Sequence, residues 1–246
     1  MPRPPRRPGP ILAIEGPSAV GKTTLSRAVA RALGGRVVPE AFRRLRPAPS
    51  LEPESTSALE RLELQLLREE ARRSRVAQYQ ARGGRPVVLD TGFLGPYTYT
   101  EGLAWTRPHL DARRAVLERT VKDLEAGRLV IPTLTVYLDA PLRTRRQRAR
   151  ADPGGHPVRL RRRHERVSAF ERRFWREVQR SVAPERVRFV RAAGRIGPTA
   201  QRICDRVGGL APYPPTAAET RRWLRFLRSR RRVIVKKGSP SGRLPR

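Results

Sequence analysis

Short apolar runs alternate with longer amphipathic stretches along most of the chain. The first run, residues 10–15 (Pro-Ile-Leu-Ala-Ile-Glu), stops at a glycine-rich turn, after which Leu25, Val29 and Leu33 recur at helical spacing; this predicts a strand, a loop and a helix over 21–33. Gly34-Gly35 ends that helix, and residues 36–39 read as a second buried strand delivering Glu40 at its carboxyl end. Ser55 or Thr56 can cap a long helix running to about residue 82, with Leu59, Leu62, Leu66, Leu67 and Val76 on one face. Beyond Gly83-Gly84, residues 86–89 form a third strand presenting Asp90, and 111–126 a helix through Val116, Val121 and Leu124. A fourth strand at 134–138 leads into an arginine-dense helix or loop over 139–150. After a Pro/Gly-rich break at 152–157 come a helix over 158–182, a strand at 187–190 and a helix at 199–207.

Strands that alternate with helices in this way predict an α/β fold: a three-layer sandwich whose mostly parallel sheet of about five strands is covered on both faces. Residues 1–9 read as a disordered basic N-terminus and 10–209 as one domain. Residues 210–246 read as a Pro-rich link, a basic helix over about 217–232 and a flexible tail. Trp223, Leu224, Phe226 and Leu227 of that helix either pack back on the domain or meet a partner.

Composition changes this picture in three places. The formal net charge is +32, which favours polyanionic partners. Yet Lys22, Lys122, Lys236 and Lys237 are the only lysines among 54 basic residues, and arginine is spread through every segment, as a genome-wide codon bias would also produce. No apolar stretch near the N-terminus reaches the length of a signal-peptide core or a membrane span, so a cytoplasmic protein without membrane contact is expected. Cys204, the single cysteine, lies in an apolar helical pattern and has no internal partner for a disulfide.

The candidate chemistry begins at Gly16-Pro17-Ser18-Ala19-Val20-Gly21-Lys22-Thr23-Thr24, set between an apolar strand and an amphipathic helix. A polyphosphate needs many backbone N–H donors at close range. The two glycines let the chain wrap it, and the following helix aims its positive end at it. Lys22 supplies a mobile charge for the β- and γ-phosphates and the Thr23 hydroxyl a ligand for Mg²⁺, so ATP and Mg²⁺ are the implied cofactors.

Glu40 and Asp90 both fall at the carboxyl ends of strands, where ligands of open parallel sheets lie. Phosphoryl transfer wants one carboxylate to receive a proton and another to hold the metal. Glu40 and Asp90 are both candidates for the base, Asp90 with Thr23 is also the metal candidate, and the plain alternative for each acid is a surface acid ending a strand. Asp139, followed by Ala140-Pro141, reads as a structural helix N-cap, and Glu15 is open between the two roles. Arg143, Arg145, Arg146, Arg148 and Arg150 suggest a mobile lid that neutralises transferring phosphates, with Arg146 and Arg150 as its catalytic members; a solvated face is the plain reading. His109, His156 and His164 share no metal-ligand spacing.

With these residues in view, the stretch from 10 to 207 resembles the P-loop kinases that include deoxynucleoside kinases and thymidylate kinases. The resemblance implies ATP-dependent transfer of a phosphoryl group to a nucleoside or nucleoside monophosphate. In Val37-Val38-Pro39-Glu40 it makes Glu40 the base for a 5′-hydroxyl. It implies that Gln65 reads the base, that Arg72 lies near the sugar, and that Asp90 is the acid closing the third strand, with Thr91 standing where the family has arginine. Phe93, Tyr97 and Tyr99 are available for stacking on an acceptor or for core packing, and Ala192-Ala193-Gly194 lie where such kinases hold adenine. Dimers are common among such relatives, although no dimer face is visible here. Two other readings stay open: a kinase of another small hydroxyl metabolite or antibiotic, and a P-loop ATPase or polynucleotide-end kinase that binds nucleic acid.

Overall fold

The computed structural model describes residues 7–45, 55–151, 162–192, 195–207 and 214–236. Residues 1–6, the break at 152–157, His156, Ala193 and Gly194, most of the Pro-rich link and the tail from 238 lie outside the described residues.

Five strands, β1 (Ile11–Glu15), β2 (Arg36–Val38), β3 (Val87–Asp90), β4 (Leu134–Asp139) and β5 (Val187–Arg191), form one sheet in the order β2-β3-β1-β4-β5. Every pairing is parallel. The helices are α1 (Lys22–Ala32), α2 (Thr56–Arg82), α3 (Gly95–Thr106), α4 (Arg113–Glu125), α5 (Leu142–Ala151), α6 (Arg162–Ser181), α7 (Ile196–Val207) and α8 (Ala217–Lys236), with a short 3-10 turn at Ala41–Arg44.

The two-residue period of the strands divides the core. Leu12 and Ile14 turn to one face, where Leu25 and Val29 of α1 and Ala200 and Ile203 of α7 cover them. Ile11 and Ala13 turn to the other, against Ala77 and Ala81 of α2. A larger cluster joins α2, α3, α4, α6 and α8 over Tyr137 and Val187. Strands β1, β3 and β4 are buried along nearly their whole length, as their unbroken apolar runs require. The second strand departs from expectation: β2 is an edge strand, exposed at Arg36 and buried only at Val38, because no strand among the described residues pairs with its outer side.

Helix α2 begins as predicted, with the Ser55 hydroxyl accepting the Ala58 N–H at 3.2 Å. Val76, expected on its inner face, is exposed. The structure adds α3, which hydrophobic periodicity does not reveal. Eight of its twelve residues are buried, among them Thr98, Thr100 and Glu101, so it has no polar face to mark it. It lies close to α6 at Gly102, where a Cβ would stand 2.9 Å from the Val167 side chain.

The C-terminal basic helix packs back on the domain. Trp223 and Leu227 of α8 are buried, and Trp223 meets Phe93 and Trp175 edge-on at 5.8 and 6.5 Å between ring centroids. The Arg186–Glu219 ion pair at 2.5 Å and the Arg230–Glu177 pair at 3.0 Å fix its ends. Among the described residues, no helix is long and apolar enough to cross a membrane.

Candidate functional site

Parallel pairing brings the carboxyl ends of β1, β2 and β3 to one edge of the sheet. The register sets Ile14 beside Asp90 and Val38 beside Leu89, so Glu15, Glu40 and Asp90 emerge at nearly the same level. The loop between β1 and α1 curls above them through three left-handed positions, Gly16 (φ 136°), Ala19 (φ 59°) and Gly21 (φ 100°). A side chain at Gly16 would put its Cβ 2.5 Å from the Leu138 carbonyl oxygen, so only glycine lets the loop lie this close to β4. Val20 anchors the loop in the core, whereas Ser18 and Thr24 are exposed.

Lys22 Nζ donates to the carbonyl oxygens of Gly16 at 2.8 Å and Pro17 at 3.3 Å, which holds the ammonium across the loop. The Thr23 hydroxyl donates to Asp90 Oδ2 at 2.7 Å. Asp90 is buried, and its Oδ1 has no hydrogen-bond partner among the described residues. A buried carboxylate oxygen with spare acceptor capacity beside a threonine hydroxyl suits a hard divalent cation that keeps its remaining ligands as water and phosphate oxygens, so these residues fit Mg²⁺. Among the described residues no cluster of three or more His, Cys, Asp or Glu could hold a metal ion, and Thr23 and Asp90 remain the two candidate ligands.

Around this centre lie acids whose carboxyls burial pushes up from their ordinary range. Glu15 accepts the Gly92 N–H at 2.7 Å, and burial pushes its carboxyl up to about 8 despite that bond and the Lys22 charge. Burial likewise raises Glu70 to about 7, opposed by Arg73, and Glu171 to about 7, opposed by Lys22 and Arg145. Unfolded, each titrates near the ordinary 4.5, so the folded chain retains protons that the unfolded chain releases. The cost of folding is absent below that value, grows as pH rises to about 8, and is constant above. We expect Tm to fall between pH 5 and pH 8.5. Glu15→Gln, which keeps an acceptor for Gly92, should flatten the upper part of that slope; an unchanged slope would show that Glu15 is ionised in the folded protein.

The long helix presents different residues to the site than its sequence suggests. Gln65 is exposed and Arg72 points outward, its side chain 71% exposed and paired with Glu69 at 3.3 Å. Arg73, one residue on, is fully buried. It donates to Glu70 at 2.5 Å, to the carbonyl oxygens of Asp90 at 2.8 Å and Thr91 at 3.0 Å, and to that of Val38 at 3.3 Å. Thr91 stands at φ 72°, a left-handed conformation that costs a β-branched residue about 1–3 kcal/mol and that the Arg73 bond and the Thr91 N–H to Ile14 oxygen bond sustain.

Phe93 and Tyr97 are core residues and not stacking platforms. Phe93 is covered by Trp223, and Tyr97 packs edge-on to Phe174 at 5.8 Å while its hydroxyl donates to Glu101. Tyr99 is half-buried against the same cluster. In α5 the inward members are Arg145 and Arg148, three residues apart on one side, and of the two Arg148 reaches the loop. Arg145 is buried and donates to Ser168 Oγ at 3.1 Å. Arg148 donates to the Val20 carbonyl at 2.6 Å and the Ala192 carbonyl at 2.7 Å, joining the phosphate loop to the segment after β5. Arg146 and Arg150, four apart on the other side, are exposed, and Arg146 meets Glu165 at 3.4 Å. Asp139 belongs to β4 and pairs with Arg172 at 2.7 Å; Ala140 and Pro141 separate it from the start of α5, so it is not that helix's cap.

A family model described as "AAA domain" matches residues 12–152, more than half of the chain. The chain belongs to the AAA domain family. No curated protein matches this AAA domain chain. Among solved structures it is similar to deoxyadenosine kinase from M. mycoides with bound dATP, at 13% identity and a TM-score of 0.66, covering 81% of this chain and 100% of that one. The same enzyme with products dCMP and a flexible dCDP bound gives a TM-score of 0.64 at 13% identity, covering 80% and 98%. Thymidylate kinase from Candida albicans gives a TM-score of 0.59 at 16% identity, covering 82% and 92%. The five-stranded parallel sheet of this chain, with its flanking helices, therefore has the P-loop kinase fold.

Proposed function

We propose that the chain is an ATP-dependent phosphotransferase acting on a nucleoside or a nucleoside monophosphate. The observation that carries this reading is the pairing of two half-sites on one sheet edge. The phosphate loop with Lys22, Thr23 and Asp90 forms one, and Glu40 with the Glu70–Arg73 pair, at the ends of β2 and β3, forms the other. The similar deoxyadenosine and thymidylate kinases lend it support through their shared fold.

In this mechanism the loop amides and the Lys22 ammonium hold the β- and γ-phosphates of ATP, and charge stabilisation and positioning supply the catalysis. Bound through Thr23 and Asp90, Mg²⁺ would neutralise charge developing on the phosphate oxygens. The acceptor lies beyond β2 and β3, against α2. Its oxygen attacks the γ-phosphorus in line, the bond from that phosphorus to the β–γ bridging oxygen breaks, and ADP departs. Where the acceptor is a hydroxyl, Glu40 receives its proton; where it is a phosphate monoester, the attacking oxygen is already ionised and needs no base.

Incubation with Mg²⁺ and ATP labelled at the γ-phosphorus, against a panel of nucleosides, nucleoside monophosphates and other small hydroxyl compounds, tests the reading. Label should move to a nucleoside or its monophosphate. Glu40→Gln should slow transfer to a nucleoside about a hundredfold or more, and transfer to a monophosphate far less. Label that reaches neither class would overturn the proposal.

A further inference from the structure

We propose that Arg73 is a positioning residue that fixes the separation between the acceptor-side Glu40 and the metal-side Asp90; the roles of those two acids rest on the reading above. The backbone makes the case. Parallel strands end with carbonyl groups that their neighbours no longer satisfy, and at this edge one guanidinium takes three of them. Its NH2 reaches Asp90 and Thr91 at the end of β3 and Val38 at the end of β2, two residues before Glu40. A single rigid group thus ties together the two strand ends that carry the candidate acids.

The choice of residue follows from the same geometry. One guanidinium nitrogen shares its two hydrogens among the three carbonyls while the other donates to Glu70, and a lysine ammonium, a single nitrogen on a flexible stem, lacks the fork that meets both at once. Arg73 is fully buried, so its charge needs a partner, and Glu70 one helical turn earlier supplies it at 2.5 Å. The bond to the Thr91 carbonyl also holds the left-handed residue that directly follows Asp90. Arg73 does not touch the phosphate loop in any hydrogen bond of the structure, which separates its action from that of Lys22.

The test compares wild type with Arg73→Met and Arg73→Lys by three readouts, all well below the lower Tm: affinity for a fluorescent ATP analogue without metal, the Mg²⁺ concentration that half-saturates its metal-dependent tightening, and kcat. Metal-free affinity should be unchanged. In Arg73→Met the Mg²⁺ midpoint should rise about tenfold and kcat fall about a hundredfold, the scale of a catalytic group displaced by an ångström, with Arg73→Lys recovering part of each. A folded Arg73→Met with wild-type midpoint and kcat overturns the proposal, as does a parallel loss of metal-free affinity, which marks general damage. If Arg73→Met does not fold, Arg73→Lys decides: wild-type midpoint and turnover in that variant overturn it. Wild-type protein that binds the analogue but transfers nothing sinks the proposed function instead, and the Mg²⁺ midpoint still judges Arg73.

Discussion

Lys22→Ala should cripple phosphoryl transfer while leaving the protein folded. Among the described residues the ammonium hydrogen-bonds only within its own loop, to Gly16 and Pro17, so its removal leaves no core polar group stranded. Stability should change by no more than about 0.5 kcal/mol, as for most substitutions outside the core. Turnover should fall on the order of a hundredfold to a thousandfold, because a preorganised charge aimed at the transferring group is lost. The substitution also removes the cation that opposes protonation of Glu15 and Glu171, so both acids should titrate higher in the variant. Single-turnover rates with labelled ATP, alongside Tm, measure both halves. A folded variant with near wild-type turnover would strip the loop of its assigned role.

Asp90→Asn is the second large expectation. Asparagine keeps a carbonyl oxygen for the Thr23 hydroxyl, so the contact at 2.7 Å can survive. What changes is the buried Oδ1 position, which becomes an amide donor and repels a cation where the carboxylate attracts one. Transfer should drop by about two to three orders of magnitude, and raising Mg²⁺ should restore only part of it. Replacing a buried, incompletely satisfied carboxylate by a neutral amide leaves stability equal or higher. Activity as a function of Mg²⁺, set beside a denaturant melt, therefore distinguishes a metal-side role from a structural one: lost stability with retained Mg²⁺ response would point to the latter.

The sheet was legible in the sequence because parallel strands buried on both faces must be short apolar runs, and the phosphate loop because its chemistry demands particular residues at fixed spacing. The loop also fixed the direction of β1 and α1. Periodicity failed where burial is complete. Helix α3 buries threonine, tyrosine and glutamate together and so shows no polar face. On α2 the family resemblance pointed to Arg72, but one residue turns a helical side chain by about 100°, and Arg73 is the one that reaches the sheet. In α5 five arginines in eight residues carry no signal about which side is inward. Tertiary contacts choose Arg145 and Arg148, through Ser168, Val20 and Ala192. Phe93 and Tyr97 were ambiguous for a related reason, since the residues that cover them, Trp223 and Phe174, lie far along the chain.

That cover sets a lower limit on how far the polypeptide can be trimmed. Cutting at the proline-rich connection would seem natural from composition, yet it would unroof the indole of Trp175 and the ring of Phe93 and leave Arg186 without its acidic counterpart. The smallest version able to stand alone must run through the final helix, and a fusion partner is better joined after that helix than in place of it.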